Sequence, residues 1–157
     1  PLRRRHRLTA ISFYHLRHMG LEVALPKLLE KVLAQGMRSV VVLGSEERVA
    51  AMDSALWTYG QRTFLPHGTS ADGASNEQPV YLTADPGENP NGAQVLVLTE
   101  GIFIEDINGF DRVLDIFDGT DAEALAVAWG RWKGLGDAGH TLTYWQQTDA
   151  GGWKKKE

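Results

Sequence analysis

The sequence has no cysteine among its 157 residues. That excludes a disulfide framework, a thiol nucleophile and any cysteine-ligated zinc or iron–sulfur centre. No apolar run approaches the roughly 20 residues a membrane helix needs, so no membrane partner is expected. The opening PLRRRHRLT has the charge of a signal peptide but not the apolar segment that would follow one. What is present is ordinary for a folded core: 43% of residues are hydrophobic. A chain of this length buries about 70% of its unfolded surface as one domain. The expectation is a single cytoplasmic domain.

The net charge of −4 hides a split. Arg3, Arg4, Arg5 and Arg7 crowd the start, and Lys154, Lys155 and Lys156 crowd the end, so residues 9–153 carry a net −10. Such a body is ill suited to gripping a phosphate backbone, where affinity comes from many Lys/Arg contacts. DNA is therefore expected as an indirect partner, with contact through the Arg3–Arg7 arm as the competing possibility. Residues 1–8 read as a disordered basic extension, 9–148 as one α/β domain and 149–157 as a C-terminal tail.

Along the chain, Ile11–Leu16 reads as a strand. Leu21, Leu25, Leu28, Leu29, Val32 and Leu33 then recur at helical spacing, with Gly36 as the stop. Ser39–Leu43 is an unbroken apolar run, the pattern of a strand buried on both faces. After Gly44, Ser45 caps a helix with Glu46 and Glu47 in its first turn and an inner stripe of Val49, Met52 and Leu56, with Trp57 at its margin. Residues 60–78 form a polar loop containing the apolar island Phe64-Leu65-Pro66-His67. Strands follow at Pro79–Leu82, Gln94–Leu98 and Arg112–Phe117. Thr120 and Glu123 match a capping box that opens a helix to about Leu135. Thr141–Gln146 is the last strand. The order predicts a Rossmann-like three-layer α/β sandwich with a mainly parallel sheet.

Signals for catalysis are few. The strand–turn–helix junction VVLGSEE suggests a small nucleotide- or phosphate-dependent enzyme using Gly44–Ser45, because a helix N-terminus favours anions. The junction lacks the glycine patterns of phosphate loops, and Glu46 and Glu47 oppose a phosphate there. Ser45 is not in the G-x-S-x-G setting of a nucleophile. His15 and His18 lie three apart, with His67 and His140 scattered, short of the converging ligands a metal needs. Asp111, Asp115, Asp118 and Asp121 read as a solvated acidic face. No catalytic residue, metal or cofactor is predicted.

The last helix is different. Trp129 and Trp132 share a face, and Arg131 and Lys133 are the only cations between Val113 and Trp153. Aromatic faces beside cations suit an acidic peptide with an apolar terminal residue. The competing reading packs both tryptophans on the sheet and lets the cations reach into water.

ISFYHL, LPKLLEKVLAQG, DSALWTYGQRTFLPHG and RVLDIFDGTD…GRWKGLGDAGHTLTYW together resemble the chi subunit of bacterial DNA polymerase III. The resemblance runs from about Thr9 to Trp145, and ALW followed by FLPH is its most specific piece. It implies a Rossmann-like domain without a nucleotide site. The implied role is that of a non-catalytic clamp-loader accessory protein that binds the acidic, Phe-ended tail of single-stranded DNA-binding protein during replication. By position, the tail site would comprise Phe117, Trp129, Arg131, Trp132 and Lys133. The family often has a basic residue near the position of Trp129, which this chain lacks. A second surface, with Trp57, Phe64 and Pro66, would bind the psi subunit or a repair helicase.

Overall fold

In the computed structural model, which describes residues 9–59, 66–72, 75–104, 107 and 109–156, the strands and helices alternate as their patterns require. The chain runs β1 (Ala10–Leu16), α1 (Leu21–Ala34), β2 (Ser39–Val42), α2 (Glu46–Tyr59), β3 (Val80–Thr83), β4 (Val95–Thr99), β5 (Arg112–Asp118), α3 (Ala122–Asp137), β6 (Thr141–Gln147) and β7 (Trp153–Lys156). The strands form one sheet in the order β3-β2-β4-β5-β1-β6-β7. All neighbours pair in parallel except β6 and β7. β2, β3 and β4 are buried at every position, as their continuous apolar runs demand.

Helices cover both faces. Leu25, Leu28, Leu29 and Val32 of α1, with Val49, Met52 and Leu56 of α2, pack on Val41, Val97, Leu114 and Ile116. On the opposite face Ala128, Leu125, Trp132 and Leu135 of α3 pack around Phe13, Val113, Phe117 and Tyr144. This is the three-layer α/β sandwich expected. α1 carries the chain from β1 toward β2, and α3 carries it from β5 to β6 on the other side. The carboxyl ends of β1 and β5 are thus a topological switch point.

Local chemistry departs from the sequence patterns in five places. The cap of α3 is Asp121, whose carboxylate accepts from the Glu123 and Ala124 amides, and not Thr120. Thr120 instead donates from its hydroxyl to Asp118, 2.6 Å away. The helix also runs through Gly134 and Gly136 to Asp137. Residues 153–156, expected within a tail, form the antiparallel strand β7, with Gln147 opposite Trp153 and Tyr144 opposite Lys156. Trp57 lies outside the α2 stripe and is 57% exposed. Asp115 is no solvated acid: it is buried and ion-paired.

Two polar contacts hold the switch-point end together. Gln147 is fully buried, and its Oε1 accepts from the amides of Arg17, His18 and Met19 at 2.8–3.0 Å, tying the turn after β1 to the end of β6. Thr99 donates from Oγ1 to the Val42 carbonyl at 2.8 Å, joining β4 to β2.

Candidate functional site

Alternation along a strand sends Phe13 and His15 of β1, Tyr144 and Gln146 of β6, and Asp115 and Phe117 of β5 toward α3. The register sets His15 beside both Phe117 and Gln146, and Phe13 beside Tyr144. α3 lays Leu125, Trp129 and Trp132 over them, one helical turn apart. The Trp129 ring stacks on Tyr144 at 5.3 Å and 11°. Trp132 meets the same ring edge-on at 5.6 Å and touches Phe13 at 5.3 Å. His15 Nδ1 lies 2.7 Å from the Tyr144 hydroxyl, which fixes the imidazole at the mouth of the space between them.

That space is a pocket of about 330 Å³ walled by His15, Leu125, Trp129, Trp132 and Tyr144, with Gln146 and Lys156 on its rim. A shallower depression on the far side of the two tryptophans is bordered by Lys133, Gly136 and Asp137. The reading that packs both tryptophans on the sheet therefore holds for Trp132 and only in part for Trp129. Trp132 is half-buried on the sheet, whereas Trp129 remains 49% exposed. An aromatic wall standing out of the surface beside lysines can take an apolar side chain with a negative charge attached.

The five residues expected together divide into two groups. Trp129, Trp132 and Lys133 border one surface depression. Arg131 turns inward: its Nε and Nη2 donate to the Asp115 carboxylate at 2.6 and 2.9 Å in a buried bidentate pair. It holds α3 to β5 and does not present its charge to the tryptophans. Burial pushes the Asp115 carboxyl above its ordinary value, and the Arg131 guanidinium pulls against that shift. Phe117 is buried beneath His15, ring to ring at 5.3 Å, so it supports the pocket without lining it. Composition and spacing missed His15, Leu125, Tyr144, Gln146 and Lys156. The period-2 pattern of TLTYWQQ carried a signal for Tyr144 and Gln146, since one face of that strand had to meet the last helix.

On the opposite face of the sheet, the exposed Trp57 ring lies 4.7 Å from the buried His67 ring, and Pro66 is half-buried nearby in sequence. Phe64 lies outside the described residues.

The Gly44–Ser45 junction is filled from within. Ser45 caps α2 through the Arg48 amide at 3.1 Å, as expected. Glu100 then places one carboxylate oxygen 2.9 Å from the Gly44 amide and the other 2.6 Å from Arg48 Nε. The protein's own carboxylate thus stands where a phosphate would have to sit. Gly134, Gly136 and Gly139 spell G-x-G-x-x-G, but they end α3, where carbonyls point outward, instead of opening a helix. Among the described residues, no three His, Asp or Glu converge as a metal ion requires. None of the helices in that same set is long and apolar enough to cross a membrane.

A model of the DNA polymerase III chi subunit, HolC, matches residues 8–143. The chain belongs to the DNA polymerase III chi subunit family. A relative described as "Probable DNA polymerase III subunit chi" from Rickettsia prowazekii (strain Madrid E) is 32% identical over 114 residues, covering 68% of each chain. Membership makes the chain an accessory subunit in DNA replication that is not itself catalytic, so the enzyme reading at Gly44–Ser45 is set aside. The C-terminal domain of the DEAD-box protein Dbp5 shares the fold at a TM-score of 0.54 and 13% identity, over 87% of this chain and 91% of that one. The chi match ends at residue 143, before Tyr144 and the whole of β7.

Proposed function

We propose that this chi-family chain links the clamp loader to single-stranded DNA-binding protein in the cytoplasm by holding the acidic, Phe-ended tail of that protein. The observation that carries the reading is the exposed aromatic pocket under α3, walled by Trp129, Trp132 and Tyr144. A terminal phenyl ring fits a cavity of about 330 Å³, and lysines on both sides of the tryptophans suit the carboxylates around it. The work is binding energy, and the acidic body leaves DNA to be reached through the protein that coats it.

Affinity is expected on the order of micromolar for a short disordered tail, and it weakens with salt because the charge pairs lie at the surface. Calorimetry with a synthetic acidic, Phe-ended peptide tests this. Trp129→Ala, with Lys133→Ala as a second variant, weakens binding while leaving the fold intact, since both side chains are exposed. No heat with the parent protein, or heat unchanged in both variants, refutes the assignment. The exposed Trp57 supports the second surface, toward a psi subunit or a repair helicase. Trp57→Ala is expected to weaken that contact and spare tail binding.

A further inference from the structure

With Arg131 committed to Asp115 and a tryptophan at position 129, α3 offers the tail only Lys133, which borders the outer depression and not the pocket. β7 supplies the missing charge. Antiparallel pairing sets Lys156 opposite Tyr144 and Lys154 opposite Gln146. Alternation then puts both lysines on the α3 face, and Trp153 on the other, where its ring packs edge-on against Tyr14 at 5.0 Å. Trp153 thus fastens the strand from behind while Lys156 lines the aromatic pocket.

A basic track leads away from that point. Lys154, Lys156 and Arg17 border the adjoining depression of about 290 Å³. Its one acid among the described residues, Asp149, is already engaged by His18 at 2.8 Å and by Arg17 at 3.9 Å. Among the described residues no acid lines the aromatic pocket itself. His15 senses the same field: burial first, then the charge of Arg17 and, less, that of Lys156 hold its imidazole below the ordinary value, against the opposing pull of Asp118. A hole for an aromatic ring, a lysine at its lip and further cations beyond fit one occupant, the C-terminus of an acidic peptide with an apolar last residue.

We infer that β7 completes the tail site, with Lys156 pairing with the terminal carboxylate of the bound peptide and Lys154 and Arg17 facing the acids that precede it. This rests on the tail-binding reading above, and it assigns that site a charge from a strand beyond the residues that match the family. Lys156 is a specificity residue for a free C-terminus, and Lys133 attends the other side of the tryptophan ridge.

The experiment is a two-by-two comparison. The full chain and Lys156→Gln are each titrated, by fluorescence anisotropy at low salt, with an acidic Phe-ended peptide bearing either a free carboxylate or a C-terminal amide. Lys156→Gln is expected to weaken the free-acid peptide about three- to fivefold, the upper part of the range for a partly exposed ion pair. Amidation costs the parent protein a similar factor and costs Lys156→Gln almost nothing. Lys156→Arg keeps the parent affinity, and equal melting temperatures show that folding is unchanged. If the parent protein binds the free-acid peptide but amidation costs both proteins the same, the role of Lys156 is overturned and the tail site stands. If the parent protein does not bind, the tail reading fails and takes this inference with it.

Discussion

Arg131 and Asp115 leave only 7% and 4% of their side chains exposed, between α3 and β5. Such a pair contributes little net stability over apolar side chains of the same size, but removing one partner strands a buried charge. Arg131→Met is therefore expected to lower unfolding free energy by about 3–5 kcal/mol in urea titration, and Arg131→Met with Asp115→Leu to recover most of it. Equal losses in the single and double variants would show that the guanidinium is needed for more than neutralising Asp115. His15 gives the pH dependence at this scale. Its folded pKa lies below the ordinary 6.5, through burial first and then the charge of Arg17, with Asp118 opposing and Lys156 adding to the shift. The Tyr144 hydroxyl can also donate to Nδ1 only while that nitrogen is unprotonated. Below pH 6.5 the unfolded chain therefore takes up a proton that the folded site refuses, and stability is lost as pH falls through that region. Thermal midpoints measured on either side of that value should fall on the acid side, with a shallower fall in His15→Gln. Gly119 is part of the same device, because a Cβ there would strike the His15 ring.

At the scale of elements, β7 depends on its hairpin. Gly151 turns at φ 91°, and a Cβ at that position would run into Met19. Its amide donates to the Thr148 carbonyl at 2.9 Å, and the Thr148 amide donates to the Gly152 carbonyl at 2.8 Å. Gly151→Ala is expected to cost about 1 kcal/mol or more, from the left-handed backbone alone. In hydrogen exchange the β7 amides should speed up while those of β2 and β4 hold; uniform acceleration would mean that β7 is not an independent unit. The strand also marks where sequence patterns stop being informative. β2 and β4 announced themselves because both faces of each are apolar, and α1 because its stripe repeats at helical spacing. β7 has three lysines and one tryptophan, and lysine on an edge strand serves to block further pairing, so it reads as a solvated tail. The sequence pattern sets the cap of α3 one residue early because Thr120 and Asp121 are both capping types, and only geometry shows which side-chain oxygen reaches the first-turn amides. In the site, Trp129, Trp132 and Lys133 follow from helix spacing alone. The inward turn of Arg131 does not, because it depends on an aspartate 16 residues away on another element.

For the whole molecule, the −4 average conceals an arrangement. Lys154, Lys156 and Arg17 gather around the β6–β7 edge, whereas Glu100, Asp118, Asp121 and Glu123 surround a pocket at the carboxyl ends of β4 and β5. A field of this kind attracts an acidic peptide to one edge and repels a polyanion that must contact a broad surface. The net −10 of residues 9–153 therefore leaves direct contact with DNA to the basic ends, of which the four arginines before Thr9 are the stronger candidate. The two routes have different salt dependences. Four arginines neutralising single-stranded phosphates would give a slope of about −3 in log affinity against log salt, whereas a tail held mainly by an aromatic pocket gives a shallower one. Anisotropy of a labelled single-stranded oligonucleotide at physiological salt should show no binding by the full chain at micromolar concentration. The same oligonucleotide coated with single-stranded DNA-binding protein should bind it, and deletion of the acidic tail from the coating protein should abolish that binding. Steeply salt-dependent binding to bare oligonucleotide, lost on removal of residues 1–8, would instead assign DNA contact to the arginine arm and leave the aromatic pocket a separate function.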